Sequence, residues 1–161
     1  MKDFRLFLIG ASAGGRIAVE KVLGNLSHDT PATFMVVVHS SFDMISSFCS
    51  YLNKKVEMEV LECKENMEIQ PGKVYVGIPN QHMVVLDGRL SNSNGPRENL
   101  FRPSIDVLFR SAAVAYGNRC VGILLSGRLN DGTVGLEAIK RCGGETIIQN
   151  PITAEFSGMP L

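Results

Sequence analysis

The amino-acid sequence predicts an α/β domain: a three-layer, doubly wound, mostly parallel sheet with an antiparallel hairpin added to it. Three observations carry that expectation. Short apolar runs of strand length alternate with helical patterns along the whole chain. Two of those runs, residues 33–38 and 120–125, are apolar at almost every position, as strands covered on both faces are. Asp87-Gly88 stands between two strand-like segments, a strong hairpin signal.

The elements follow in order. Residues 4–9 read as a first buried strand, broken by Gly10-Ala11-Ser12-Ala13-Gly14-Gly15, and a helix is expected over 15–25. Residues 33–38 form the second strand, and the strand–helix–strand spacing argues for a parallel pair with a right-handed crossover. A helix over 46–53 places Phe48, Cys49 and Leu52 on one face. Residues 56–63 alternate apolar and charged and are expected to be a half-exposed strand. Gln70-Pro71-Gly72 is a turn, 73–78 a strand, and 83–86 with 89–91 the hairpin. A polar loop over 92–103 leads to Ser104, expected to cap a helix over 105–116. A strand over 120–125, a loop, a helix over 134–142 closed by Gly143-Gly144, and a last strand over 146–149 complete the chain.

The bulk properties narrow the function. The 161 residues fit one domain with a good-sized core. Sixteen basic residues balance sixteen acidic ones, so neither nucleic acid nor an anionic membrane surface is indicated as a partner. The apolar runs are too short to span a bilayer, and the N-terminus lacks a signal-peptide pattern. Cys49, Cys63, Cys120 and Cys142 are widely spaced and form no C-x-x-C or zinc pattern. They are expected to be reduced, mostly buried thiols of a cytoplasmic protein, and no metal or cofactor is expected.

Sites in open parallel sheets form beyond the C-terminal ends of the strands. Three residues fall there: Ser12 after the first strand, His39 directly after the second, and Asp131 after the strand at 120–125. They are the parts of an acyl-transfer triad, in which serine attacks, histidine moves the proton and aspartate holds the imidazole. Gly10-x-Ser12-x-Gly14 matches the nucleophile-elbow pattern. Backbone N–H groups of Ala13 and Gly14, at the start of the first helix, are candidates to hold the oxyanion. Each residue has a plainer reading: Ser12 a helix cap, His39 a polar strand end, Asp131 a turn residue capping the next helix. His82 follows the 73–78 strand and is placed near the same rim, whereas Asp106, in the first turn of a helix, reads as structural. A dinucleotide loop needs glycine where Ser12 stands, and no Walker lysine–threonine pair follows.

These residues resemble the catalytic domain of the bacterial chemotaxis protein-glutamate methylesterase along essentially the whole chain. The resemblance rests on Ile9-Gly10-Ala11-Ser12-Ala13-Gly14-Gly15, His39, Arg102-Pro103-Ser104-Ile105-Asp106-Val107-Leu108-Phe109, Gly122-Ile123-Leu124-Leu125-Ser126-Gly127, Asn130-Asp131-Gly132, Gln149-Asn150 and Gly158-Met159-Pro160. It implies a triad of Ser12, His39 and Asp131 that hydrolyses glutamate γ-methyl esters on the cytoplasmic helices of chemoreceptors and deamidates certain glutamines. The partners it implies are those receptor helices and a separate regulatory protein. The cations expected to meet a glutamate-rich receptor helix are Arg102 and Arg128, with Arg97 a further candidate.

The chain departs from the family pattern in four places: Ala13 for threonine, Val38 for glutamine, Ser40-Ser41-Phe42 for Met-Pro-Pro, and Ser126-Gly127-Arg128-Leu129 for Thr-Gly-Met-Gly. Arg128 and Leu129 are expected beside the site, where a bulky pair narrows the cleft or changes the substrate. The expected organisation is a single catalytic domain over 1–161, with no receiver domain and without the family's C-terminal helical segment. Two other functions fit the same residues: a module that keeps the fold for binding or regulation, and a small-molecule carboxylic esterase.

Overall fold

The computed structural model describes residues 4–12, 14–39, 44–128 and 130–160. The strands of the central sheet are β1 (Arg5–Ala11), β2 (Ala32–Val38), β3 (Glu59–Glu62), β5 (Lys73–Val76), β8 (Cys120–Leu124) and β9 (Glu145–Ile148). They run in the order β3-β5-β2-β1-β8-β9, and every neighbouring pair is parallel. The helices are α1 (Gly15–Leu23), α2 (Met44–Lys55), α3 (Ile105–Tyr116) and α4 (Thr133–Arg141).

The period of two along each strand splits the core in half. From β1 and β2, Leu6, Leu8, Met35 and Val37 pack with Ile105, Leu108, Phe109 and Ala112 of α3. Their neighbours Ile9, Ala11, Phe34, Val36 and Val38 pack on the other face with Val19 and Leu23 of α1 and Phe48 and Leu52 of α2. All seven residues of β2 are buried, which is why its sequence shows no polar–apolar alternation. The result is the expected three-layer, doubly wound arrangement.

The hairpin forms as expected between β6 (His82–Leu86) and β7 (Arg89–Ser93), and its Asp87-Gly88 turn has φ of 51° and 74°. It belongs to a second, antiparallel sheet, β4-β7-β6, completed by β4 (Met67–Glu68). Met83, Val85 and Leu90 press this sheet into the α3 half of the core. The segment expected as a strand over 56–63 pairs only at Glu59–Glu62. Val56 and Met58 are buried outside the ladder, so their apolar character reflects burial rather than pairing.

One close approach positions the site. A Cβ on Gly10 would lie 2.5 Å from Ile105 Cγ2, so α3 seats its first turn directly on the end of β1. Glycine there brings the N-terminus of α3 to the rim where β1, β2 and β8 end.

Candidate active site

The strand ends are tied to one another by backbone bonds. The His39 N–H donates to Ala11 O (3.0 Å), so the residue after β2 lies beside the end of β1. The Ser12 N–H donates to Ser126 O (2.9 Å), which joins the end of β1 to the loop after β8. Ser12 O then accepts from the Gly15 N–H (2.8 Å) as the chain turns into α1. Gly14 completes that turn with φ of +74°, and its conformation is the N-cap of α1 with no side-chain cap. Ser12 thus serves the start of α1 through its backbone carbonyl, and among the described residues no hydrogen bond from its hydroxyl caps the helix. Among the described residues, no hydrogen bond engages the Gly14 N–H. Ala13, the other oxyanion candidate, lies outside the described residues, as does Leu129.

Asp131 is wholly buried and receives five hydrogen bonds. Oδ2 accepts from His39 Nε2 (2.7 Å) and from the Ile105 N–H (2.7 Å). Oδ1 accepts from Ser104 Oγ (2.9 Å), Asn99 Nδ2 (3.0 Å) and the Asp106 N–H (3.1 Å). Asp131 thus caps α3 across space, and not the next helix as its plainer reading had it. The carboxylate takes the first amides of α3, where the helix dipole favours negative charge. Ser104 occupies the N-cap position but its hydroxyl does not cap; it serves Asp131 instead.

Asp106 returns the favour to α4. Its Oδ1 accepts the Gly132 and Gly135 N–H groups (3.0 and 2.7 Å), and its Oδ2 accepts Asn99 Nδ2 (2.6 Å). Burial pushes the Asp131 carboxyl up, but the bond from His39 and those from Ile105, Asp106 and Asn99 outweigh it and hold it below the ordinary carboxylate value. For Asp106 burial prevails: the Gly135, Asn99 and Gly132 bonds oppose it, the Asp131 charge reinforces it, and the carboxyl is raised.

The His39 side chain is 6% exposed. Its Nε2 is committed to Asp131, and its Nδ1 is buried with no hydrogen-bond partner among the described residues. The Phe101 ring stacks on the imidazole, centroids 3.4 Å apart and planes 6° from parallel.

The other sequence-derived candidates fall as follows. His82 is buried, with Nε2 against Pro96 O (2.8 Å) and Nδ1 accepting the N–H of Ser104 (3.1 Å), whose hydroxyl bonds Asp131. The Arg102 guanidinium donates to Asn80 Oδ1 of the loop before β6 (2.6 Å from Nη2) and to the carbonyls of Asn94 and Gly95 in its own loop (3.2 Å each). Arg128 is exposed, and its guanidinium lies 4.1 Å from the centre of the Phe156 ring. Phe156 belongs to a C-terminal segment laid along the loop after β8. The Gly127 N–H donates to Phe156 O (2.9 Å), the Met159 N–H donates to Gly127 O (2.9 Å), and a Cβ on Gly14 would touch Glu155. Asn99 and Phe101 were not singled out from sequence. The available signal was a polar loop ending at a helix start, which names no side-chain partners.

A family model described as CheB methylesterase matches residues 7–161. The chain belongs to the CheB methylesterase family. The catalytic domain of Thermotoga maritima CheB methylesterase superposes with a TM-score of 0.94 at 28% identity, covering 98% of this chain and 86% of that one. A Leptospira interrogans protein provisionally named protein-glutamate methylesterase/protein-glutamine glutaminase is 36% identical over 159 residues, 98% of this chain and 82% of that protein. The protein-glutamate methylesterase FrzG of Myxococcus xanthus is 35% identical over 158 residues, and this CheB-type chain spans 47% of its length. Among the described residues, no helix is long and apolar enough to cross a membrane.

Proposed function

We propose that this CheB-type domain hydrolyses glutamate γ-methyl esters on the cytoplasmic helices of chemoreceptors, and deamidates glutamines there, through an acyl-enzyme on Ser12. The observation that carries the reading is the His39–Asp131 bond of 2.7 Å beside the strand end that bears Ser12, with Nδ1 buried and, among the described residues, bonded neither to the Ser12 hydroxyl nor to any other group. With Nε2 donating to an ionised carboxylate, Nδ1 is the nitrogen free to accept a proton.

In the proposed reaction Ser12 Oγ attacks the ester carbonyl as Nδ1 takes its proton. The Gly14 N–H, with that of Ala13, meets the developing oxyanion. Collapse of the tetrahedral species breaks the acyl–oxygen bond, and Nδ1 returns the proton to the methoxide as methanol leaves. Water, deprotonated by the same nitrogen, then releases the glutamate carboxylate and restores Ser12. With a glutamine substrate, ammonia leaves in place of methanol. Asp131 keeps its charge throughout, in line with the lowered carboxyl, and stabilises the imidazolium that forms. Arg128 and Arg102, at the outer edge, are proposed to meet the acidic receptor helix, and Arg128 stacked on Phe156 sets one side of the cleft. The work is assigned to the cytoplasm, where the receptor helices lie.

The test is methanol release from methylated receptor. Wild-type protein is expected to release it, and Ser12→Ala to lose the activity by a factor of at least about 10³. A Ser12→Ala variant with wild-type turnover would overturn the mechanism.

A further inference from the structure

We infer that the tight turn at residues 98–101 is a positioning clip for the His39–Asp131 pair, with Phe101 and Asn99 as its two working side chains. The inference rests on the hydrolase reading of that pair.

Glu98 and Phe101 face each other in an antiparallel bridge, each N–H donating to the other's carbonyl (3.1 and 2.9 Å). The two central residues, Asn99 and Leu100, have φ of 53° and 74°, as a two-residue loop of the primed class requires. Asparagine tolerates that conformation; leucine does so at a cost, and here it is also 79% exposed. Neither packing nor propensity accounts for a turn drawn this tight over an exposed leucine.

What the turn achieves is visible in its side chains. Asn99 sends Nδ2 to both buried carboxylates, Asp106 Oδ2 and Asp131 Oδ1. Two residues on, Phe101 lays its ring flat on the imidazole that Asp131 holds. One two-residue loop therefore fixes both members of the pair. The turn is itself anchored from behind: Arg110, on α3, donates to both carboxylate oxygens of Glu98 (2.7 and 2.8 Å).

The division of labour follows from geometry. Asp131 restrains one edge of the imidazole through a single bond at Nε2, about which the ring is still free to swing and tilt. A face-on aromatic ring removes that freedom without adding a polar group to compete for Nδ1. The stack also suits the imidazolium formed in each half-reaction, since the aromatic face attracts cations.

Phe101→Leu keeps the volume apolar but removes the flat face, whereas Phe101→Tyr keeps the face. Phe101→Leu is expected to lower kcat for receptor demethylation about ten- to a hundredfold with KM within about twofold, as a misplaced reacting group does. Phe101→Tyr is expected to restore most of that loss. Independently of any substrate, wild type and Phe101→Tyr should show a downfield proton signal from the His39 Nε2–H bonded to Asp131, broadened by exchange in Phe101→Leu. Folded Phe101→Leu protein that keeps both kcat and the signal would overturn the inference, as would a Phe101→Tyr variant that behaves like Phe101→Leu. Should Phe101→Leu not fold, Asn99→Gly decides. It keeps the left-handed turn and removes only the amide, and an unchanged Nε2–H signal in it would refute the clip. A wild type that releases no methanol would sink the hydrolase reading alone, because the proton signal still reports whether the turn holds the pair.

Discussion

Asp131→Asn tests the site at its most connected point, and the outcome can be worked through donor by donor. The substitution keeps the shape but turns one oxygen into an NH2. If the NH2 replaces Oδ1 it faces two fixed donors, the Asp106 N–H and Asn99 Nδ2, along with the adaptable Ser104 hydroxyl. If it replaces Oδ2 it faces the Ile105 N–H, which cannot adapt, and His39 Nε2, which can by changing tautomer. The second arrangement orphans fewer donors and should be chosen. One buried N–H then goes unpaired, and four further bonds lose their charge assistance or are remade. The cost is about 3–5 kcal/mol, a large part of the stability of a domain this size. The activity cost is separate. An Nε2 that accepts from the amide forces the proton onto Nδ1, the nitrogen proposed to receive the serine proton, and such a tautomer error costs on the order of 10⁴-fold in kcat. Urea unfolding followed by fluorescence or circular dichroism gives the first number, and methanol release gives the second.

The pH arm sharpens the same test. The Asp131 carboxyl is held below its ordinary value in the folded protein. Its contribution to stability is therefore full above about pH 4 and is lost as pH falls through the lowered folded value. Wild type should lose stability more steeply than Asp131→Asn below about pH 4, so the two curves converge in acid. Loss of less than about 1 kcal/mol at pH 7, or curves that stay parallel in acid, would refute the assignment of Asp131 as the ionised hub.

Two further outcomes are expected. A Cβ on Gly127 would lie 2.0 Å from Met159 Sδ and 2.9 Å from Ser12 Cβ. Gly127→Ala should lower stability by about 1–3 kcal/mol and also depress turnover, because its methyl would press on both Met159 and Ser12. Burial pushes the thiols of Cys49, Cys63 and Cys120 up to about 12, whereas Cys142 is exposed. Native protein should therefore react with a disulfide reagent at one thiol quickly and at all four only after denaturation.

The parts of the fold that sequence made legible were those with one dominant cause. β1, β2 and β8 were readable because burial on two faces leaves almost no polar residue in them. The hairpin was readable because Asp87-Gly88 states its own turn. β4 escaped because two residues carry no period, and β3 was expected too long because Val56 and Met58 are apolar for a different reason. Ser12, His39 and Asp131 could be placed at one rim because each follows a buried strand in a known topology. Their supports could not. Asp131 meets α3 only because Gly10 lets Ile105 close on β1. Phe101 meets His39 only because two residues in series accept a left-handed backbone. Those are tertiary accidents of fit, with no local pattern to announce them.

The crossed caps of α3 and α4 have a consequence for how activity is gained during folding. Asp131, just before α4, closes α3; Asp106, inside α3, closes α4, over separations of 25 to 29 residues. Neither helix start can be finished alone, and the imidazole partner is one of the two carboxylates involved. A chain with α3 or α4 undocked has no seated Asp131 and hence no aligned His39. Catalytic competence should thus arrive in a single late step, making turnover a stricter gauge of the native state than helix content.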